Sequence, residues 1–445
     1  MGTKTEIHSL PDTTWQLPRR QLLQYLIGGL GITAVFSQIA TASELSRFPG
    51  SAKTFTFPNR GEGFWQLVKS QFPLRSGLTL VNAANLCPSP YSVWEAVFAL
   101  TRDIDADASF QNRDKFSDLT EYSRRALATY LGAHPEEIVI TRNTTESTNM
   151  VISGLDLKQE DEVVLWDQNH PTNNVAWNVR AHRYGFQVKR VTTPTPPRSS
   201  AELIDPFRNK LTRKTKVLAL THVSNISGVG LPVKELCRIA REREILTLID
   251  GAQTFGAFQV DLHDIGCDFY TGSTHKWLMG PKEAGVLYVR GERISDLWPS
   301  IVGAGWEKVR ERQARKFETL GQRDDATLAA VGKAVDFHHS IGKERIEIRI
   351  QKLANMLKRE IQRIPGVKLY TPIAPELSGG VVVLSVDEVS PREAFEYLYR
   401  KYDIGCAGMN GQFPGIRFCP HIYNSIEEIE KILAAVDHLA KKGLS

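Results

Sequence analysis

The feature that most constrains the fold is a recurring unit, a short unbroken apolar run followed by an amphipathic stretch, which sets in near Thr79. Residues 137–141, 162–166, 217–221, 246–249 and 285–289 are such runs, rich in Val, Ile and Leu. They do not alternate apolar with polar residues, so strands built from them need cover on both faces. Residues 118–131, 146–154 and 233–243 carry helical periodicity, the last opening after Pro232, where a first-turn proline is favourable. Strand–helix–strand order with doubly buried strands predicts an α/β domain, a mostly parallel sheet with helices on each side.

After about Ala330 the pattern changes. A long helical pattern over 329–364 stops at Pro365-Gly366, and 367–370, 380–386 and 417–419 then read as strands of a smaller α+β unit closed by a helix over 426–441. Pro194 to Pro197 is a surface connection inside the larger unit, because the alternation resumes after it. The expected organisation is an address over 1–42, a segment over 43–75 packing on the core, a large domain over 76–330 and a small C-terminal domain over 331–445.

The address rests on residues 16–42. Arg19-Arg20 precedes a weakly apolar run from Leu22 to Ala40, diluted by glycine and glutamine, and Ala40-Thr41-Ala42 is a small-x-small cleavage pattern. This resembles a twin-arginine signal and implies export to the periplasm as a folded protein; an uncleaved membrane anchor is the competing reading. A net charge of +5, from 55 basic and 50 acidic residues without dense Lys/Arg blocks, argues against a nucleic-acid partner. Five cysteines with no CxxC or zinc-type spacing predict neither a disulfide framework nor a metal site.

The chemistry concentrates at strand ends. Leu246-Thr-Leu-Ile-Asp250-Gly-Ala-Gln253 is a strand that ends in an acid and a tight turn, where α/β sheets place ligands. Beyond the strand-like run 267–270 lies Gly272-Ser273-Thr-His275-Lys276-Trp277. An aspartate and a lysine at neighbouring strand ends suit pyridoxal-phosphate (PLP) chemistry, the acid pairing with the protonated ring nitrogen and the lysine forming the imine. Thr141-Arg-Asn-Thr144-Thr145-Glu-Ser is a strand running into a helix N-terminus, which attracts phosphate. Gln168-Asn-His170-Pro and Thr221-His-Val-Ser-Asn225 follow two more strands, and Gly415-Ile-Arg417 supplies a guanidinium fit for a two-pronged hold on a carboxylate.

DGAQ followed by STHKW resembles the class V aminotransferase branch of fold-type I PLP enzymes, the similarity running from about Leu80 to the C-terminus. The resemblance implies Lys276 as the Schiff-base residue, Asp250 on the pyridine nitrogen and Gln253 and Asn225 on the phenolic oxygen. It implies Thr145, the Thr144 backbone, Ser273 and His275 on the phosphate, and His170 stacked on the ring with a part in proton transfer. Arg417 would hold the substrate α-carboxylate. Phe317-Glu-Thr-Leu-Gly-Gln322 resembles the segment that reaches a partner subunit's phosphate, so the resemblance also implies a homodimer.

The substrate is then a small amine or amino acid, undergoing transamination, epimerisation or side-chain tailoring. LGQRDDA and PHIYN segments resemble the isopenicillin N epimerase-like group more than the cysteine desulfurases, whose His-His-Cys context is missing around Cys406. A cysteine or cystine C–S lyase or desulfurase is the alternative activity. A non-catalytic protein that kept the fold is the alternative of another class.

Overall fold

A computed structural model describes residues 61–310 and 313–444 of the chain; the expected export signal falls outside them. In chain order the strands are β1 (Thr79–Leu80), β2 (Ile138–Thr141), β3 (Glu162–Trp166), β4 (Gln187–Val191), β5 (Thr215–Thr221), β6 (Leu246–Asp250), β7 (Phe269–Ser273), β8 (Gly285–Val289), β9 (Val367–Leu369), β10 (Val382–Val386), β11 (Ile404–Gly405), β12 (Ala407–Met409) and β13 (Gly415–Phe418). The helices of eight residues or more are α1 (Glu62–Lys69), α2 (Tyr91–Ala106), α3 (Lys115–Leu131), α4 (Thr144–Gly154), α5 (Pro171–Tyr184), α6 (Ser200–Lys210), α7 (Val233–Arg241), α8 (Asp325–Ile341), α9 (Lys343–Ile361), α10 (Pro391–Tyr402) and α11 (Ile426–Lys442).

Seven strands form the main sheet in the order β2-β8-β7-β6-β5-β3-β4. Every pairing from β7 to β4 is parallel, and β8 runs antiparallel to both of its neighbours. The unbroken apolar runs have the expected cause. Along β2, β3 and β5 alternate residues enter different cores: Ile138, Ile140, Val164, Leu218 and Leu220 on one face, Val139, Val163, Leu165, Val217 and Ala219 on the other. The first face is covered by α3, α6, α7 and α8, the second by α4 and α5. Each such Val, Ile or Leu gains roughly 1.5–3 kcal/mol by leaving water, which is why a doubly covered strand is apolar through most of its length.

Strand β4 and the long helix depart from the sequence reading. Strand β4 closes the sheet at one edge, and its Gln187-Val-Lys-Arg-Val191 pattern is mostly exposed or half-exposed, so no apolar run marks it. The long helix expected over 329–364 is two helices, α8 and α9, because Gly342 between them adopts φ +98°. A helix cannot continue through that conformation. Helix α8 also crosses residue 330, where the boundary between domains was expected.

The second sheet has four antiparallel strands in the order β12-β13-β10-β9, with α9, α10 and α11 packed on it around Leu353, Leu384, Leu398 and Ile432. Strand β1 pairs with β11, a parallel contact across more than 300 residues. Before it, α1 buries Phe64 and Val68 with Ile346, Ile350 and Tyr423, and Glu62 holds the buried Arg349 at 2.7 and 2.8 Å. Both Arg417, on β13, and the C-terminal ends of the main parallel strands are thereby brought to one region.

Candidate active site

The strand ends β2, β3, β5, β6 and β7 open onto a single cavity of about 270 Å³. Asn143, Thr144, Thr145 and Thr148 line it from the first turn of α4, His170, Thr172 and Asn173 from the turn into α5, and Thr221 and Asn225 from the end of β5. Asp250, Ala252 and Gln253 follow β6, and Ser273, His275 and Lys276 follow β7. Nine of the sequence-derived residues other than Gln322 and Arg417 therefore meet in one place, from segments far apart in the chain.

Asp250 is the last residue of β6 and is 3% exposed. Its Oδ1 accepts the Ala252 N–H at 3.0 Å, and its main-chain oxygen accepts from His222 at 2.9 Å, which fixes the carboxylate at the cavity edge. The turn after it requires glycine: a Cβ on Gly251 would sit 1.9 Å from the Tyr270 ring. Lys276 Nζ has no hydrogen bond or ion pair among the described residues. Burial holds its pKa below the usual lysine range; Asp250 opposes that shift and Arg417 adds to it.

At the α4 terminus Asn143 accepts the Glu146 N–H at 3.0 Å and caps the helix. The Thr144 N–H donates to Ser273 Oγ at 2.8 Å, with the two hydroxyls 2.7 Å apart. Ser273 thus joins the β7 end to the helix terminus, and Thr145 is left open to the cavity. A hydroxyl pair at a positive helix end suits an anion. Burial holds His170 below its ordinary pKa against the pull of Asp250, and burial with the neighbouring Lys276 and Lys282 pushes His275 down to about 4. Both rings are neutral near pH 7. His170 also caps α5, its Nδ1 accepting from Thr172 at 3.2 Å.

Gln253 has structural duties: its amide nitrogen donates to the Ala84 carbonyl at 3.1 Å and its oxygen accepts from Trp277 Nε1 at 2.8 Å. One N–H remains for the cavity. Arg417 is 6% exposed and makes no ion pair with an acid among the described residues; Nη1 donates to the Asn225 main-chain oxygen at 3.1 Å and Nη2 to Asn82 Oδ1 at 3.4 Å. Gln322 does not line this cavity. It accepts from Arg113 at 2.8 Å in a separate recess with Glu318 and Arg323.

Several buried polar atoms at the site have no partner: Asn225 Oδ1, Thr221 Oγ1, both Asn173 side-chain atoms and Arg417 Nε. Leaving such groups unpaired costs roughly 1–3 kcal/mol each, so the cavity is built for a polar ligand. Thr148, Thr172, Asn173, Thr221 and Asn82 escaped sequence reasoning; only their places next to strand ends marked them.

The family profile described as Aminotransferase class-V matches residues 91–432. Isopenicillin N epimerase of Streptomyces clavuligerus is 29% identical over 391 residues, covering 84% of this chain and 98% of that one. A probable cysteine desulfurase of Xylella fastidiosa is 30% identical, covering 84% and 94%. Among solved structures, a C-DES mutant with glycine covalently linked to its PLP cofactor superposes with a TM-score of 0.75 at 25% identity, over 83% of this chain and 98% of that one. The profile match takes in most of the chain and both the seven-stranded and the four-stranded sheet, and it establishes this protein as a member of the class-V aminotransferase family.

Proposed function

We propose that the protein is a PLP-dependent enzyme acting on the amine of an amino acid, by transamination, epimerisation or side-chain tailoring. The observation that carries this is the buried, acid-free guanidinium of Arg417, set near a cavity that holds Lys276 and Asp250. The residues fit the cofactor: Asp250 for the ring nitrogen, Lys276 for the carbonyl carbon, Asn225 and Gln253 for the phenolic oxygen, and Thr144, Thr145, Ser273 and His275 for the phosphate. When bound, PLP supplies an electron sink for the Cα bonds of an attached amine.

The chain's own groups do the rest. Arg417 holds the substrate carboxylate and so decides which Cα bond stands upright. Lys276, its pKa lowered by burial, is the amine placed to attack and then to carry a proton at Nζ. His170, held below its ordinary pKa by burial, lines the same cavity and would face the ring when the cofactor is bound.

The alternative is C–S bond cleavage of cysteine or cystine. Cys406 speaks against a version that uses an enzyme thiol: it is 4% exposed and burial pushes it up to about 12. Incubating the enzyme with individual amino acids and identifying products by mass spectrometry separates the readings. A keto acid that keeps the substrate's whole side chain, or an inverted stereocentre, supports the first; sulfide or persulfide released together with pyruvate or alanine supports the second.

Export through the twin-arginine route, with a periplasmic location, belongs to the same reading and rests on Arg19-Arg20 and Ala40-Thr41-Ala42. Replacing both arginines by lysine should leave the protein in the cytoplasmic fraction. A homodimer is likewise part of it, since Gln322 lies outside its own chain's cavity and would serve only a partner subunit's. Light scattering coupled to size exclusion tests that point.

A further inference from the structure

Three asparagines flank the start of α5, and they do different things. Asn169 is spent: Nδ2 donates to the Ala219 carbonyl at 2.9 Å and Oδ1 accepts the Thr221 N–H at 2.8 Å. Asn174 donates to the Asp167 carbonyl at 3.3 Å. Asn173 is 2% exposed, lines the cavity, and has no partner for either its nitrogen or its oxygen. It is not needed as a cap, because His170 already caps the helix. Thr221 is 1% exposed, lines the same cavity and has an unpartnered hydroxyl.

The order of strands says what these groups face. The phosphate-binding groups come from the ends of β2 and β7, Asp250 from β6, Thr221 and Asn225 from β5, and His170 and Asn173 from β3. Asp250 therefore separates the phosphate side of the cavity from the Asn173 side. In PLP the phosphate arm and the phenolic oxygen flank the reactive carbon on opposite sides of the axis that runs through the ring nitrogen. With the nitrogen at Asp250 and the phosphate at α4, the phenolic oxygen of a bound PLP would lie toward β5 and β3. Gln253 offers that oxygen one spare N–H, whereas the whole Asn173 amide is free.

We infer that Asn173, with Thr221, is a cofactor-binding residue whose side-chain N–H donates to the phenolic oxygen of bound PLP. This rests on the PLP reading above. A donor to that oxygen favours its anionic form, so removing the donor keeps the oxygen protonated to higher pH.

The test uses the full protein and its Asn173→Ala and Thr221→Val variants. PLP affinity is measured by equilibrium dialysis, and the visible band of each loaded protein is titrated with pH. Asn173→Ala should weaken PLP binding about tenfold and raise the titration midpoint by about one pH unit, with Thr221→Val moving both in the same direction. The PLP-free Asn173→Ala protein should melt no lower than wild type, because the amide it loses has no protein partner. Affinity and midpoint unchanged within about twofold would overturn the inference, leaving Asn173 to hold only a buried water, and so would a PLP-free variant that fails to fold. A wild-type protein with no borohydride-sensitive visible band would overturn the PLP reading itself. A normal wild-type band with an indifferent Asn173→Ala would overturn the inference alone.

Discussion

Arg417 Nη1 donates to the main-chain oxygen of Asn225 at 3.1 Å, so a buried cation is positioned by a neutral carbonyl instead of being neutralised by an acid. An unpaired buried guanidinium is costly, and a substrate carboxylate would relieve that cost. Arg417→Gln should therefore lower kcat/KM for α-amino acids by about 100-fold, on the order of 3 kcal/mol, with the PLP band retained. Steady-state kinetics on an amino acid and on the amine lacking its carboxylate check this: only the amino acid should suffer. Equal losses on both would remove the carboxylate role.

Acid stability follows from three buried imidazoles. Burial pushes His222 and His421 down to about 4 and His338 to about 3. The unfolded chain binds these protons near the ordinary histidine value of about 6.5, so stability is full above that pH. It is lost as pH falls from about 6.5 toward 4, at roughly 1.4 kcal/mol per pH unit for each histidine. Melting temperatures recorded between pH 7 and pH 5 should fall steadily, and less steeply in His421→Gln. A flat profile over that range contradicts the neutral buried state.

All five cysteines are buried and free. Burial raises each thiol, Cys87, Cys237 and Cys406 to about 12. Iodoacetamide at pH 8 should leave the native protein unmodified and label it only after denaturation, as intact-mass measurement would show. Rapid labelling of Cys406, or a persulfide on it after exposure to cysteine, would revive the desulfurase reading.

Glu318 secures the edge strand that leads to the α4 terminus. It pairs with Arg124, which is 2% exposed, at 2.7 and 2.8 Å, and it also accepts the Ile140 N–H. Glu318→Ala leaves Arg124 without that partner and should cost about 3–5 kcal/mol in urea unfolding. A loss below about 1 kcal/mol would show that Glu121 alone satisfies Arg124.

Much of the main sheet was legible because burial on both faces writes itself as unbroken apolar runs, and Asp250 and Lys276 could be placed once the preceding strands were found. Strand β4 was not, since an exposed edge strand has no such signature. Nor was the break at Gly342, where helical periodicity continues on both sides of a glycine that takes a positive φ. At the site, Asn169, Asn173 and Asn174 are chemically identical. Partners drawn from β5 mark the first as structural and the absence of any marks the second as open. The partners of Arg417, Asn225 and Asn82, lie 192 and 335 residues away and leave no local trace.

The central claim is that Lys276 carries PLP, and the most direct test is peptide mapping after borohydride reduction of the PLP-loaded protein. The account predicts loss of the visible band and a phosphopyridoxyl adduct on the peptide containing Lys276, absent from Lys276→Ala. An adduct confined to other lysines, or no adduct at all, would contradict it.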